Sequence, residues 1–388
     1  MSQLPEARPE EVGLSTRRLE AMDALLRDRV AAGHLPGAVV LVGRQGRIAW
    51  HSAVGHRDPA SGARMRTDTI FRIYSMTKPM VSVGVMMLLE EGRLLLGEPI
   101  GKYLPELASM TVAAEGGPVP AAPITIQDLL RHTSGLTYEF RGTGPVQQAY
   151  AAAGIARRGQ TNADQVAMLG ALPLLHQPGT RWEYSRSTDV LGRLIEVVSG
   201  QTLGAFLQAR ICGPLGMVDT AFHVPPAQQD RLAEAFAHDP ETGAEVALLG
   251  VREPPSFESG GGGMVSTSGD YARFLQMLTD GGQLGGVRLL GRKTVELMTA
   301  DHLGAIAGST DLLPAGHGFG LGFAVRRDRG MAVTPGSIGM YYWSGMAGTT
   351  FWVDPAEELS VVFMMQGPGQ REHYRALLRD LVYAAIVD

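Results

Sequence analysis

Ser75-Met76-Thr77-Lys78 places an amine three residues after a hydroxyl, just ahead of a long apolar stretch. Side chains three apart on a helix share a face, so the Lys78 amine can reach the Ser75 oxygen. A serine hydroxyl is a poor nucleophile until a neighbour takes its proton. A lysine can take it where burial or the positive end of a helix favours the neutral amine. Both conditions fit a pair that opens a helix apolar on every face, and a lysine in such a helix needs an explanation. With nineteen serines and only three lysines in 388 residues, this spacing arises by chance in about 15% of such chains. The pair therefore needs support from elsewhere. Its rival reading is an N-capping serine with a surface lysine.

Two further groups offer that support. Tyr184 lies in Trp182-Glu183-Tyr184-Ser185-Arg186-Ser187, just before a helical pattern of Val190, Leu191, Leu194, Ile195 and Val198. A tyrosine on a loop leading into a helix can project its hydroxyl into a cleft. Beside an ammonium it can serve as a phenolate base. Taken without Ser75 and Lys78, the segment reads more simply as a half-buried tyrosine followed by a capping serine. The third group is Tyr341-Tyr342-Trp343-Ser344-Gly345-Met346-Ala347-Gly348. A glycine at a strand end lets a ligand approach the backbone, and the N–H groups after it can form half of an oxyanion hole. A sheet edge packed around Trp343 is the alternative.

The elements that position these residues follow from periodicity. Ser15 can cap a helix carrying Leu19, Met22, Leu25, Leu26 and Val30, which Gly33 and Pro36 stop. Ala38 to Val42 reads as a strand, Gly43 to Gly46 as its turn and Arg47 to Trp50 as the returning strand. A third extended piece ends at Tyr74, and the buried helix is expected from Ser75 to about Glu91. From about Gly97 to Phe236 the signals are helical, with Gly/Pro-rich loops. Strands are then expected over Phe319 to Val325, Gly339 to Trp343, Thr349 to Val353 and Leu359 to Met365. Asp354-Pro355 turns the last pair, and a helix with Tyr374, Leu377, Leu378, Leu381, Val382 and Ala385 closes the chain. The expected fold class is α/β in the α+β sense: one antiparallel sheet built from both ends and flanked by helices. Residues 1–96 and 237–388 would form this sheet domain and 97–236 an inserted helical domain, with a cleft between them.

Composition narrows the function. The formal net charge is −5 and no basic block occurs, so nucleic acid is not an expected partner. The single cysteine, Cys212, lies in an apolar run and reads as a small buried hydrophobe. The first residues lack the basic and apolar regions of a signal peptide, and no apolar stretch is long enough for a bilayer. A cytoplasmic chain with no membrane partner is the expectation. The ten histidines show no His-Glu-X-X-His, so no metal or other cofactor is expected, and no Gly-X-Ser-X-Gly elbow occurs. Gly286 to Thr294 departs from a phosphate loop, and the run Gly260 to Gly263 lacks dinucleotide spacing; both read as loops. His132 reads as a structural hydrogen-bonder.

Taken in order, these segments resemble the serine β-lactamase and penicillin-binding-protein superfamily, in particular class C β-lactamases and family VIII carboxylesterases. Phe71 to Pro79 resembles the nucleophile motif, Leu129 to Leu136 and Pro214 to Thr220 two shared spacer segments, and Gly260 to Asp270 a glycine-rich run before a helix. Tyr184 and Trp343-Ser344-Gly345 stand where the second and third motifs belong. The resemblance implies Ser75 as nucleophile, and Lys78 and Tyr184 as general base and acid. It gives the oxyanion to the backbone N–H groups of Ser75 and Met346, and makes Trp343, Gly345 and Tyr138 substrate-binding residues. Two departures bear on substrate. Arg186 fills the asparagine place of the lactamase Tyr-X-Asn motif, and Trp343 replaces the lysine of Lys-Thr-Gly. That lysine helps recognise a substrate carboxylate, so its loss favours a small, neutral, short-chain acyl ester over a lactam or peptide. The expected activity is that of a carboxylesterase; the alternatives are a β-lactamase or D-alanyl carboxypeptidase, an acyltransferase, and a non-catalytic binding protein.

Overall fold

The computed structural model describes residues 4–306 and 312–388. Its first helix, α1 (Thr16–Ala31), starts at Ser15 as expected, but the Ser15 hydroxyl does not cap it. Glu10 does so instead: its carboxylate accepts from the Thr16 N–H at 3.0 Å. The strands of the main sheet are β1 (Gly37–Arg44), β2 (Arg47–Asp58), β3 (Ala63–Arg64), β4 (His317–Phe319), β5 (Ala324–Arg326), β6 (Tyr341–Ser344), β7 (Thr350–Asp354) and β8 (Leu359–Met365). They run in the order β4-β5-β6-β7-β8-β1-β2-β3, each pairing antiparallel with its neighbour. The β1–β8 pair, Ala38 opposite Met365 through Arg44 opposite Leu359, joins the two ends of the chain in mid-sheet.

A buried sheet face on each side explains why β1 reads as an unbroken apolar run. Val39 and Leu41 enter one core, while Ala38, Val40 and Val42 enter the other. The second core is closed by α1 through Leu19, Met22 and Leu26, and by the last helix α5 (Arg371–Tyr383) through Tyr374, Leu378 and Val382. On the first face lie α2 (Thr77–Glu90) and α4 (Ser268–Thr279), the latter through Tyr271, Phe274 and Leu275. Every residue of α2 from Thr77 to Leu88 is buried. Its far side meets α3 (Ser187–Ser199), where a Cβ on Gly84 would lie 3.1 Å from Ile195. Among the described residues, no strand of the main sheet lies between Arg64 and His317; helices, loops and three short two-stranded ribbons fill that interval. Cys212 is buried there, and burial pushes its thiol up to about 12.

Three expected boundaries are corrected. The helix expected from Ser75 begins at Thr77, after a 3₁₀ turn at Tyr74–Met76. The extended piece before it, Phe71–Arg72, pairs with Val265–Ser266 instead of joining the main sheet. The single strand expected over Phe319 to Val325 is two strands, β4 and β5, folded back through Gly320 to Phe323. Gly322 there has φ = 103°, and a Cβ would lie 2.5 Å from the Ser82 hydroxyl, so the chain turns where it meets α2.

Candidate active site

Ser75 occupies the 3₁₀ turn that joins Phe71–Arg72 to α2. Tyr74 before it takes φ = 44°, a left-handed backbone that costs a bulky residue about 1–3 kcal/mol. The surroundings hold it there: the Tyr74 hydroxyl accepts from the Leu249 N–H at 2.8 Å, and Ile73 N–H donates to the Met264 carbonyl at 3.0 Å. The turn leaves Ser75 on the wall of a cavity of about 810 Å³, while Lys78 rides in the first turn of α2 beneath it.

Lys78 is 1% exposed. Its Nζ lies 3.2 Å from Ser75 Oγ, 3.0 Å from Tyr138 Oη and 2.5 Å from the Gly261 carbonyl oxygen. The carbonyl can only accept, so one amine proton is committed to it. Each hydroxyl can donate or accept. A charged Lys78 satisfies all three partners by donating three times. A neutral Lys78 satisfies them by donating to Gly261 and Tyr138 and accepting from Ser75. The site thus accommodates both protonation states without rearrangement, as a residue that takes and returns a proton requires.

Tyr184 is buried beside this amine, but its ring and not its hydroxyl faces it: Nζ lies 4.5 Å from the ring centroid. The Tyr184 hydroxyl accepts instead from Trp343 Nε1 at 3.3 Å. The hydroxyl on the amine belongs to Tyr138. Burial, followed by the negative charge that Tyr184 and Asp189 would carry, holds Tyr138 well above the usual phenol range, so it keeps its proton. Sequence reasoning placed Tyr138 only in the substrate pocket. The structure places it both on the cavity wall and on Lys78.

Gly345 lies just past the end of β6, against the turn that holds Ser75. A Cβ there would lie 2.3 Å from Thr349 Oγ1 and 2.4 Å from the Ile73 carbonyl oxygen, which is why this position is glycine. Met346 follows, 51% exposed at the cavity. Among the described residues, the N–H groups of Ser75 and Met346 find no acceptor within the protein. Trp343 lines the same cavity, packed against Tyr184 at 5.2 Å between ring centroids and edge-on to Phe319 at 5.3 Å.

Arg186 faces the cavity as half of a buried charge network. It pairs with Glu139 at 2.6 Å and Asp189 at 3.3 Å, and its guanidinium carbon lies 4.7 Å from the Tyr138 ring centroid. Burial opposes its charge, but Asp189, Tyr138 and Glu139 outweigh burial and hold it above the ordinary arginine value. Asp189, at the start of α3, also accepts from Ser259 Oγ at 2.6 Å and from the Gly261 N–H at 2.8 Å. The chain Arg186–Asp189–Gly261–Lys78 therefore fixes the carbonyl that holds the amine. Asp189 and Gly261 were missed in the sequence. The signal for them was the run Gly260 to Gly263: a Cβ on Gly261 would lie 2.9 Å from both Asp189 and Tyr138 Oη. His132 is buried, with Nδ1 at 3.2 Å from Ser185 Oγ. Burial, and then the Lys78 charge, hold it well below the usual imidazole range, so it is neutral and structural.

The remaining cavity wall is largely apolar, from Phe140, Phe257, Leu312, Met331 and Val333. Arg141, Arg158 and three arginines of α5, Arg371, Arg375 and Arg379, also line it; Arg371 and Arg375 both pair with Glu372, at 3.2 and 2.6 Å.

Comparison with known proteins bears on this geometry. The family model for Beta-lactamase matches residues 22–384. Protein Rv1367c of Mycobacterium tuberculosis is 37% identical over 363 residues, covering 90% of each chain. Esterase EstB of Burkholderia gladioli is 35% identical over 396 residues, covering 95% of each. Among solved structures, EstCE1, described as a hydrolase with promiscuous acyltransferase activity, superposes with a TM-score of 0.79 at 29% identity, covering 95% of this chain and 98% of its own.

Proposed function

The chain belongs to the Beta-lactamase family, and from that premise we propose that it is a serine carboxylesterase working through an acyl-enzyme on Ser75. Ser75 Oγ attacks the ester carbonyl and its proton passes to Lys78 Nζ. The N–H groups of Ser75 and Met346 hold the developing oxyanion. The tetrahedral adduct collapses, and the leaving alkoxide takes a proton from Lys78, directly or through the Tyr138 hydroxyl that bonds it. Water then attacks the acyl carbon and gives a proton to the same pair; the second adduct collapses with cleavage of the Ser75 Oγ–acyl bond, Ser75 Oγ takes the proton back, and the carboxylic acid leaves.

The observation that carries the ester reading is Trp343. It stands in the third-motif position with its indole N–H spent on Tyr184, and among the described residues no lysine lines the cavity. Lys102 and Lys293 are both exposed and paired with Glu98 and Glu296. The test compares p-nitrophenyl butyrate with a chromogenic cephalosporin on the purified protein. The ester should be preferred by about 100-fold or more in kcat/KM, and Ser75→Ala should remove about 99.9% of its turnover. Faster lactam hydrolysis, or an active Ser75→Ala, would overturn the proposal.

Acyl transfer is the second reading, and the cavity favours it. A pocket of about 810 Å³ holds a drug-sized molecule, much more than a short acyl group occupies. Its apolar walls suit an alcohol acceptor beside the acyl-enzyme, and EstCE1 is described as having such activity.

A further inference from the structure

Gly345 and Met346 share one peptide unit, whose N–H is the second oxyanion donor in the mechanism above and whose C=O lies at the other end. The turn Gly345-Met346-Ala347-Gly348 closes when Gly348 N–H donates to the Gly345 carbonyl at 3.1 Å. In a four-residue turn only the last N–H is used internally, so the turn itself leaves the Met346 N–H free. The Gly345 carbonyl accepts a second donor from a different element, Nη2 of Arg375 in α5.

Arg375 is held for this contact. Its side chain is 15% exposed and pairs through Nη1 with Glu372 at 2.6 Å. Its Nε has no hydrogen-bond partner, so Nη1 and Nη2 carry its polar contacts. Burial lowers its pKa to about 10, which still leaves it charged near neutrality. A charged donor on a peptide carbonyl does two things. It fixes the plane of the peptide, and it draws electron density toward the oxygen, which strengthens the N–H at the opposite end as a donor.

We propose that Arg375 is a positioning residue for the oxyanion hole: by donating to the Gly345 carbonyl it orients and polarises the Gly345–Met346 peptide. The proposal rests on the acyl-enzyme reading, since it is the oxyanion on a Ser75 adduct that the Met346 N–H would hold. Arg375 itself does not touch the reacting atoms. It acts only through the peptide, so its loss should weaken binding of the tetrahedral state and leave binding of the ester alone.

The test uses Arg375→Gln and Arg375→Lys in the full chain, with three readouts. For a neutral p-nitrophenyl ester, Arg375→Gln should lower kcat roughly 10- to 50-fold while KM stays within about two-fold, and Arg375→Lys should recover part of the loss. The affinity of a phenylboronic acid, which forms a tetrahedral adduct on a serine, should fall by the same factor as kcat. The third readout needs no turnover. In protein labelled with [1-13C]glycine and [15N]methionine only the five Gly–Met peptides resonate, at Met217, Met264, Met331, Met340 and Met346. In Arg375→Gln the Met346 amide proton alone should move upfield. An unchanged kcat, a loss confined to KM, or a Met346 amide that does not move would overturn the proposal. A failure of the acyl-enzyme reading looks different: the unsubstituted protein would then form neither the boronate adduct nor an acyl-enzyme, whatever stands at position 375.

Discussion

Lys78 is enclosed, yet it keeps three polar partners, and its two candidate roles differ in what a substitution does. If it serves as a base, it must be able to accept a proton. If it serves only as a cation beside Ser75, an arginine would do. Arginine does not give up its proton in proteins. Lys78→Arg should therefore be about as damaging as Lys78→Ala, each lowering kcat on the order of 10³-fold. A Lys78→Arg enzyme that kept a tenth of its activity would assign Lys78 to charge alone. The pair Ser75–Lys78 was legible in the sequence because it is local, three residues along one turn. Tyr138 as the partner of Lys78 was not, because that contact spans 60 residues. The Gly261 carbonyl spans 183. Neither has a periodicity that announces it, and only the packing of α2 against the helical segment brings them together.

At the scale of elements, the strand end after β6 and the turn that carries Ser75 are locked together. Gly345→Ala would place a methyl group within 2.4 Å of the Ile73 carbonyl, a backbone atom that cannot step aside. We expect a stability loss of about 1–3 kcal/mol in urea unfolding. A fall in kcat of more than about 100-fold should accompany it, because the methyl group forces apart the two segments that hold the oxyanion. A variant as active as the parent would show that this contact does not set the geometry.

Helix α4 carries a second, pH-dependent signature. The Asp270 N–H donates to its Thr267 cap, but its carboxylate turns away to accept from Asp219 N–H at 2.8 Å and Thr220 Oγ1 at 2.9 Å. Burial raises its pKa from 3.8 to about 6; the nearby Asp219 adds to the rise, while Arg273 and the hydrogen bonds oppose it. A folded value above the unfolded one means that the contribution is fully present below about pH 4 and is lost as pH rises through about 6. Asp270→Asn removes this titration. The stability difference between parent and variant should therefore shift by about 2–3 kcal/mol, against the parent, between about pH 4 and pH 7.5. A pH-independent difference would remove Asp270 from the account. Also at this scale, the strands of the last third were legible from their apolar runs. The 3₁₀ turn at Tyr74–Met76 was not: a left-handed tyrosine opposes local preference, and tertiary contacts impose it.

Across the whole molecule, the two ends of the chain meet as β1 and β8, and a sheet assembled from both ends was visible in the strand patterns. What the patterns could not give was the size of the cavity or the arginines of α5 on its wall, since both depend on how helix and sheet surfaces face each other. The cavity leads to a prediction about partitioning. If it admits an alcohol next to the acyl-enzyme, adding a primary alcohol should produce the new ester at the expense of the acid. Chromatography of the products would measure this, and acid alone at high alcohol concentration would rule out acyl transfer.

The central claim is that turnover passes through Ser75, and the acyl group itself can be located. Acid quenching during turnover of a p-nitrophenyl ester, followed by trypsin and mass spectrometry, isolates Ser75 in one peptide, Ile73–Arg93, because Pro79 blocks cleavage after Lys78. The account predicts that this peptide gains the mass of the acyl group at Ser75, and that Ser75→Ala shows no gain. An unmodified peptide during rapid turnover, or an acyl group on any other residue, would contradict it.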